Sequence, residues 1–263
     1  MIKNMHGTGI VIDNTQVAER TFRLAVSVNG EVPPIVAGQF AMLRLPNRSD
    51  PLLGRPLAVY RLTRSATAAV MEFVYLVVGK MTARLAELRP GDQLEIWTPL
   101  GNGFQPDNAK HHILVAGGIG QTPFLMFAEQ HPNSTLLYGV RTAERIACAE
   151  DFEQLGIDVR IATDDGSWGH HGAVTELIQT VYRPDESTKI VACGPQPMLQ
   201  AAFHVARNLG LPCDVSLESP MSCGLGICFG CVVEYRSGGN PDEWDYRRTC
   251  VDGPVFDAYR LKW

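Results

Sequence analysis

The stretch HILVAGGIGQTP, residues 112–123, places an apolar run directly before a glycine-rich turn and a proline. Glycines at a strand-to-helix turn let a diphosphate approach the backbone, where the start of the helix offers free N–H donors. We therefore expect Gly117, Gly118 and Gly120 to contact a nucleotide. The spacing G-G-x-G-x-x-P differs from the common G-x-G-x-x-G, so its meaning depends on the surrounding sequence.

Downstream of this turn, apolar runs alternate with helical patterns. The predicted strands are residues 112–116, 135–140, 159–163 and 190–193, and the predicted helices are 123–130, 150–155, 174–181 and 196–209. This alternation predicts a doubly wound parallel sheet, a nucleotide-binding α/β domain over residues 105–213. Cys193, Gly194 and Pro195 follow its fourth strand. They are expected at the ligand-binding edge, beside the glycine turn.

Upstream of the turn, the sequence has the pattern of a β domain. Six short runs rich in Val, Leu and Phe (residues 8–13, 21–28, 40–45, 57–62, 70–78 and 93–97) are separated by turn formers, with one helix predicted at 82–88. Strands at this spacing predict a small antiparallel β-barrel over residues 1–104.

Four of the seven cysteines lie close together near the C-terminal end of the sequence. Cys223, Cys228 and Cys231 have the spacing C-x4-C-x2-C, and Cys250 follows. This spacing is that of plant-type ferredoxins, in which four thiolates hold a two-iron, two-sulfur cluster. We expect residues 214–263 to form the segment that binds this cluster.

Glycines between the predicted ligands favour the same interpretation. Gly224, Gly226 and Gly230 are expected to adopt positive φ, so that the loop can aim backbone N–H groups at the sulfurs. A structural zinc site is the alternative, although zinc usually binds two C-x2-C pairs and only one is present. Unligated structural cysteines are the other alternative.

Length and charge limit the function further. The 263 residues suit two domains, and a net charge of −5 argues against nucleic acid as a partner. No apolar run approaches the ~20 residues of a membrane span, and residues 1–13 lack the apolar core of a secretory signal. We therefore expect a cytoplasmic protein.

Taken in order, these motifs resemble the ferredoxin–NAD(P) reductase superfamily and, within it, the electron-transfer subunits of class 1B dihydroorotate dehydrogenase. The resemblance covers essentially the whole chain. It rests on the RPLA run at 55–58, the PLGNGF turn at 99–104, the glycine turn, the CGP loop at 193–195 and the C-terminal cysteine pattern. It differs from the family at Ala58, where a serine is usual, and at Met81, where a glycine is usual.

The resemblance implies three cofactors: FAD, a 2Fe–2S cluster and NAD. The cofactor contacts that it implies are Arg55, Pro56, Leu57, Ala58, Tyr75, Leu76, Val77, Met81, Thr82, Gly117, Gly118, Gly120, Cys193, Gly194 and Pro195. Cys193 is the residue that it places beside the nicotinamide, as the catalytic residue. The charges of Arg141, Glu144 and Arg145 leave the choice of NAD or NADP open, and the resemblance favours NAD.

The resemblance also implies the function. Electrons would pass from an FMN-containing, dihydroorotate-oxidising subunit through the cluster and FAD to NAD+ in pyrimidine biosynthesis, within a heterotetramer. One alternative is a subunit of another NAD(P)H-linked complex, of the ferredoxin:NADP reductase or sulfhydrogenase type. The other is a zinc-stabilised binding module. Met221, Leu225, Ile227 and Phe229 in the ligand loop are expected to form the docking surface for the partner.

Overall fold

The computed structural model describes residues 4–65, 67–236, 238 and 243–263. The first half of the chain forms a seven-stranded antiparallel sheet with one helix. Its elements are β1 (Met5–Ala18), β2 (Thr21–Asn29), β3 (Phe40–Arg44), β4 (Arg55–Ala58), β5 (Arg61–Arg64), β6 (Ala68–Leu76), α1 (Lys80–Ala86) and β7 (Gln93–Leu100). The strand order is β4-β3-β7-β1-β2-β6-β5.

The single strand expected over residues 57–62 is two strands, β4 and β5, and this expectation was wrong. The two strands are consecutive in the chain yet lie at opposite edges of the sheet. Between them, the Val59 N–H donates to the Gln39 carbonyl and the Tyr60 N–H donates to the Glu72 carbonyl. The chain therefore crosses from one edge to the other, and the sheet curls into the expected barrel.

The second half of the chain forms a parallel sheet covered by helices. Its elements are β8 (His111–Gly117), α2 (Leu125–Gln130), β9 (Ser134–Val140), α3 (Ala149–Gln154), β10 (Asp158–Thr163), β11 (His170–His171), α4 (Ile178–Val181), β12 (Thr188–Cys193), α5 (Gln196–Leu209) and β13 (Cys213–Ser216). A two-stranded ribbon, β14 (Val232–Tyr235) and β15 (Asp245–Arg248), follows, and then β16 (Val255–Asp257). The sheet order is β11-β10-β9-β8-β12-β13-β16, with β16 antiparallel to β13.

Two of the expected helices begin differently in the structure. Residues Gly118–Phe124 form a 3-10 helix that contains Pro123, and α2 begins only at Leu125. Likewise, Val174–Leu177 is a 3-10 turn that leads into α4. Short 3-10 turns are common at helix N-termini, and here one keeps the glycine turn close to the sheet edge.

Helix α5 shows why the predicted α/β pattern holds. Leu199, Ala202, Phe203 and Ala206 are buried, at the i, i+3, i+4, i+7 spacing of one helix face. The helix ends where Gly210 adopts φ 67°, a left-handed conformation that favours glycine. This face packs on the parallel sheet and fixes the loop that precedes α5.

The two sheets are joined by a buried polar contact. Asp151 accepts a hydrogen bond from the Tyr60 hydroxyl at 2.6 Å and another from Arg23 Nη1 at 3.0 Å. A buried carboxylate is stable only when it is paired in this way. The contact therefore fixes the cleft that opens between the sheets.

The C-terminal segment is anchored to both sheets. Its strand β16 pairs with β13, for example Phe256 with Val215. On the barrel side, Asn102 Nδ2 donates to the carbonyls of Asp252 and Val255 at 2.9 Å each, and Asn102 Oδ1 accepts the Val255 N–H at 3.0 Å. The domain boundaries 1–104, 105–213 and 214–263 remain a prediction. Across the described ranges, every helix is too short or too polar to span a membrane.

Candidate functional site

A cleft of about 1120 Å³ lies between the two sheets. The barrel contributes β4 and β6 to its walls, and the parallel sheet contributes the carboxyl ends of β8, β9, β12 and β13. Ligands of open α/β sheets bind outside the carboxyl ends of the strands, so this is the expected position for a nucleotide.

The barrel wall contains most of the flavin contacts predicted from the sequence. The residues that line it are Arg55, Pro56, Leu57, Ala58, Tyr75, Leu76 and Thr82. Arg55 Nε is buried and has no hydrogen-bond partner in the part of the chain that the structure describes. An unpaired buried guanidinium N–H is costly, and a diphosphate oxygen would satisfy it. The wall therefore fits the predicted FAD.

Three of the predicted cofactor contacts, Met81, Val77 and Gly120, are not among the residues that line the cleft. A fourth, Thr82, has a structural role. Met81 is buried in the barrel core, the Val77 N–H donates to the Arg20 carbonyl, and Gly120 packs against the Cys193 carbonyl. Thr82 lines the cleft, but its Oγ1 accepts the N–H groups of Val78 and Gly79 at 3.0 and 3.1 Å. Its hydroxyl thereby caps α1.

Glycines bring the two nucleotide loops together on the opposite wall. Gly117, Gly118, Cys193, Gly194 and Pro195 all line the cleft. A Cβ on Gly117 would lie 2.7 Å from Pro195 Cδ, and a Cβ on Gly120 would lie 2.1 Å from the Cys193 carbonyl oxygen. A side chain at either position would therefore separate the two loops.

The Cys193 thiol lies at the junction of β12 and β13. It is buried, and Ser216, its register partner on β13, is in hydrogen-bonding contact with it. Burial raises the pKa of the Cys193 thiol, and the nearby Glu218 carboxylate raises it further. The group is thus a neutral thiol, suited to packing against a ring and unsuited to acting as a thiolate nucleophile.

Glu218 and Ser219 were left unassigned by the sequence analysis, yet both line the cleft. Glu218 faces the interior of the cleft, so its carboxylate is accessible there but poorly hydrated, and this burial raises its pKa. Ser219 Oγ is buried and lacks a partner within the described ranges. The two residues follow β13 after Leu217, and no local sequence pattern marks them as site residues.

The four predicted cluster ligands stand as two pairs. The thiol of Cys223 contacts that of Cys228, and the thiol of Cys231 contacts that of Cys250. Within the described ranges, no three His, Cys, Asp or Glu side chains converge on one point. A single zinc ion needs four ligands around one point, whereas a two-iron cluster takes two thiolates on each iron. The pairing therefore favours the two-iron cluster.

Backbone N–H groups surround these sulfurs, as expected. The Leu225 N–H donates to Cys223 Sγ at 3.4 Å. Burial would raise the pKa of Cys223, but this N–H and those of Cys228 and Ile227 lower it to about 6. N–H donors of this kind stabilise thiolates and so support a metal cluster.

The loop geometry corrects one expectation. Gly224 and Gly226 adopt positive φ, 68° and 79°, as predicted, but Gly230 does not. Instead Phe229 has φ 55°. A bulky residue in the left-handed region is uncommon and carries a strain of about 1–3 kcal/mol.

Three of the four loop residues that were expected to form an exposed apolar surface are exposed. Leu225, Ile227 and Phe229 are exposed, and Val251 extends the same patch. Met221 is instead half-buried against the barrel, so the expectation that it would be exposed was wrong. We call Leu225, Ile227, Phe229 and Val251 the loop patch.

Strand β3 connects the cluster ligands to the cleft. Phe40 and Met42 belong to the same buried cluster as Cys231 and Cys250. Phe40 also lines the cleft and pairs in register with Ala58, at the end of the predicted flavin motif. The two sites are therefore separated by the thickness of one strand.

Comparisons with known proteins agree with this geometry. A family model described as the iron-sulfur cluster binding domain of dihydroorotate dehydrogenase B matches residues 218–262, and an oxidoreductase NAD-binding domain matches residues 114–204. The chain is 35% identical over 255 residues to the electron transfer subunit of dihydroorotate dehydrogenase B (NAD(+)) of Geobacillus thermodenitrificans, covering 94% of this chain and 95% of that one. The corresponding subunit of Desulforamulus reducens is 32% identical over 252 residues, covering 94% of each chain.

Solved structures confirm the predicted fold. The structure of an NADH-dependent reduced ferredoxin-NADP oxidoreductase, reported with flavin-based electron bifurcation, matches with a TM-score of 0.82 and 27% identity. It covers 97% of this chain and 90% of that chain. The ferredoxin reductase of carbazole 1,9a-dioxygenase shares the fold at a TM-score of 0.68 and 20% identity, over 80% of this chain and 68% of its own.

Proposed function

Because this chain belongs to the family of dihydroorotate dehydrogenase B electron transfer subunits, we propose that it passes electrons from a dihydroorotate-oxidising partner to NAD+. The observation that carries the proposal is the position of Phe40. This side chain belongs to the same buried cluster as two of the predicted cluster cysteines and also lines the cleft, so a carrier in each site would lie within about one strand of the other.

Each group has residues suited to hold it. Arg55 and the rest of β4 would bind FAD, the loops after β8 and β12 would bind NAD, and the paired thiols would bind the cluster. When bound, a flavin exchanges hydride with a nicotinamide and single electrons with an iron–sulfur cluster.

The other residues of the cleft would position the bound cofactors. The Cys193 thiol and the Ser216 hydroxyl close the floor of the cleft at its narrow end. The Thr82 hydroxyl fixes the start of α1 beneath the flavin wall, at 3.0 Å from the Val78 N–H. Rigid walls of this kind hold two rings in contact and exclude water between them.

The partner is inferred from the loop patch. Apolar side chains with 41–76% exposure surround the ligand loop, and an apolar patch beside an electron carrier suits a protein interface. We propose that an FMN-containing subunit docks here, in a cytoplasmic heterotetramer that serves pyrimidine biosynthesis.

Purification of the chain together with whatever binds it tests this function. We expect about one FAD and two irons per chain, and co-elution of a flavoprotein that reduces this chain's FAD when dihydroorotate is added. Co-elution of a large multi-cluster subunit would instead assign the chain to a ferredoxin-NADP type of complex, whose solved representative shares its fold. A colourless protein with stoichiometric zinc would refute both assignments.

A further inference from the structure

The loop that follows β9 forms one end of the cleft. Arg141 and Arg145 line this end, together with Asp164 from the loop after β10. In dinucleotide-binding folds, a residue about 20 positions beyond the glycine turn meets the adenosine ribose, and an arginine there accommodates a 2′-phosphate. Arg141 lies at this distance from Gly120. The two arginines alone would therefore suggest a site for a phosphorylated nucleotide.

One of these arginines is already paired. Arg145 Nε donates to Glu19 Oε2 at 2.7 Å. Glu19 belongs to the turn between β1 and β2, in the barrel, 126 positions away. The main chains are bonded as well, because the Glu19 N–H donates to the Glu144 carbonyl at 2.9 Å. The carboxylate is thus held against Arg145 by the fold.

The remaining charges at this end also disfavour a phosphate. Asp164 lines this end and is exposed, and Glu144 is exposed and adjacent to Arg145 in the chain. With Glu19, three carboxylates therefore lie close to the two arginines, and Arg20, which also lines the cleft, donates to the Val77 carbonyl. A 2′-phosphate would have to displace Glu19 from Arg145 and lie near the other two. Opposing charge of this kind is a common device for excluding a ligand.

We propose that Glu19 is a specificity-determining residue: by pairing with Arg145 it withdraws one of the two guanidinium groups that a 2′-phosphate would bind, leaves only Arg141, and so selects NAD over NADP. The ion pair itself adds little stability, because both side chains are partly exposed. Its effect lies in competition with the ligand. The inference rests on the proposed function only in taking the cleft as a dinucleotide site.

A pair of nucleotide fragments isolates the effect. The probes are 5′-AMP and 2′,5′-ADP (adenosine 2′,5′-bisphosphate), which differ only by the 2′-phosphate, and titration calorimetry of the purified chain gives both dissociation constants without any redox step. We expect Glu19→Gln to tighten 2′,5′-ADP binding about fivefold to tenfold, the range for one net hydrogen bond at a partly exposed site. Binding of 5′-AMP should change less than about twofold. The gain should disappear in the Glu19→Gln, Arg145→Ala double variant.

The matched control is Glu95→Gln. Glu95 is also a barrel carboxylate that pairs with an arginine, Arg44, and neither residue lines the cleft. It should leave both constants unchanged. Three outcomes would overturn the proposal. Glu19→Gln could change the dissociation constants of both probes equally, or change neither, or its gain in 2′,5′-ADP affinity could persist when Arg145 is also replaced by Ala. Failure of every variant to bind 5′-AMP would refute the dinucleotide site itself.

Discussion

The walls of the cleft belong to two seven-stranded sheets, whereas the loop from Met221 to Cys231 contains no strand or helix and is held at its ends by β13 and β14. Backbone pairing fixes the cleft residues, such as Cys193 opposite Ser216. The loop residues have two thiol pairs and a few N–H contacts to sulfur. The cleft is therefore formed by the fold alone, while the order of the loop depends on what its cysteines bind.

Replacing one predicted cluster cysteine should produce the largest difference between the ligand loop and the cleft. We expect Cys228→Ser to abolish the two-iron cluster, because a hydroxyl replaces one of the four thiolates. The FAD content should stay near the wild-type value, since the flavin wall lies on β4 and β6. Iron analysis, the spectrum of the reduced cluster and extracted FAD measure the three quantities.

Cys148→Ser is the control for this change. Cys148 is buried beside Tyr60 and Asp151, where a hydroxyl can be accommodated. It should keep both the irons and the FAD. Parallel loss of FAD and iron in Cys228→Ser would show instead that the cleft and the ligand loop fold as one unit.

A smaller effect is expected where the loop would meet its partner. The Phe229 ring is exposed despite a φ of 55°, and the Arg248 guanidinium lies over it, 5.2 Å from the ring centroid. We expect Phe229→Gly to change the melting temperature little, because glycine adopts this φ without strain and this gain offsets the lost cation–π contact. Affinity for the dihydroorotate-oxidising subunit should fall about thirtyfold, the value of one aromatic anchor.

Surface plasmon resonance with the partner subunit measures this affinity. Ile12→Gly is the matched control, because Ile12 is also an exposed apolar side chain but lies on β1, away from the loop. It should not change partner binding. Unchanged affinity in Phe229→Gly, with the cluster intact, would place the docking surface elsewhere.

The smallest expected effect is a change in thermal stability on substitution of Glu218, which lines the cleft. Its pKa is raised in the folded chain, so the folded state binds the proton more tightly than the unfolded state does. Ionisation of Glu218 therefore lowers the stability of the folded chain. The decrease begins as the pH rises past the pKa of the unfolded chain, and it is complete above the pKa of the folded chain. We expect Glu218→Gln to raise the melting temperature by less than about 2 °C at pH 8, with no difference at pH 3.5.

Thermal unfolding at several pH values in the presence of saturating FAD tests this. Glu153→Gln, at an exposed position on α3, is the control and should show no pH-dependent difference. A larger gain at low pH than at high pH would contradict the raised pKa.

Much of the fold could be predicted because each element carries its own signal. The α5 pattern gave both ends of that helix, and the alternation of strands and helices gave the parallel sheet. The division of residues 57–62 could not be predicted. It depends on hydrogen bonds from Val59 and Tyr60 to strands on opposite edges, and these are known only once the sheet has curled.

Some residues of the candidate site could also be predicted from the sequence, and others could not. Ligand cysteines and glycine turns are local patterns, so their positions could be read from spacing alone. The roles of Glu19 and Glu218 depend on distant partners. Glu19 meets Arg145 across 126 positions, and Glu218 enters the cleft only because β13 lies beside β12. No local pattern carries such information.

The three hydrogen bonds of Asn102 have a consequence for biosynthesis. Their partners, Asp252 and Val255, are added to the growing chain 150 or more residues after Asn102 itself. On the ribosome, the strands of the flavin wall are therefore complete long before the backbone beside Cys250 can be fixed. We therefore expect the barrel wall to be able to bind flavin before the cluster site is complete, because the last predicted ligand, Cys250, is made near the end of synthesis. A cell short of iron would then accumulate a yellow, flavin-loaded intermediate ready to receive its cluster.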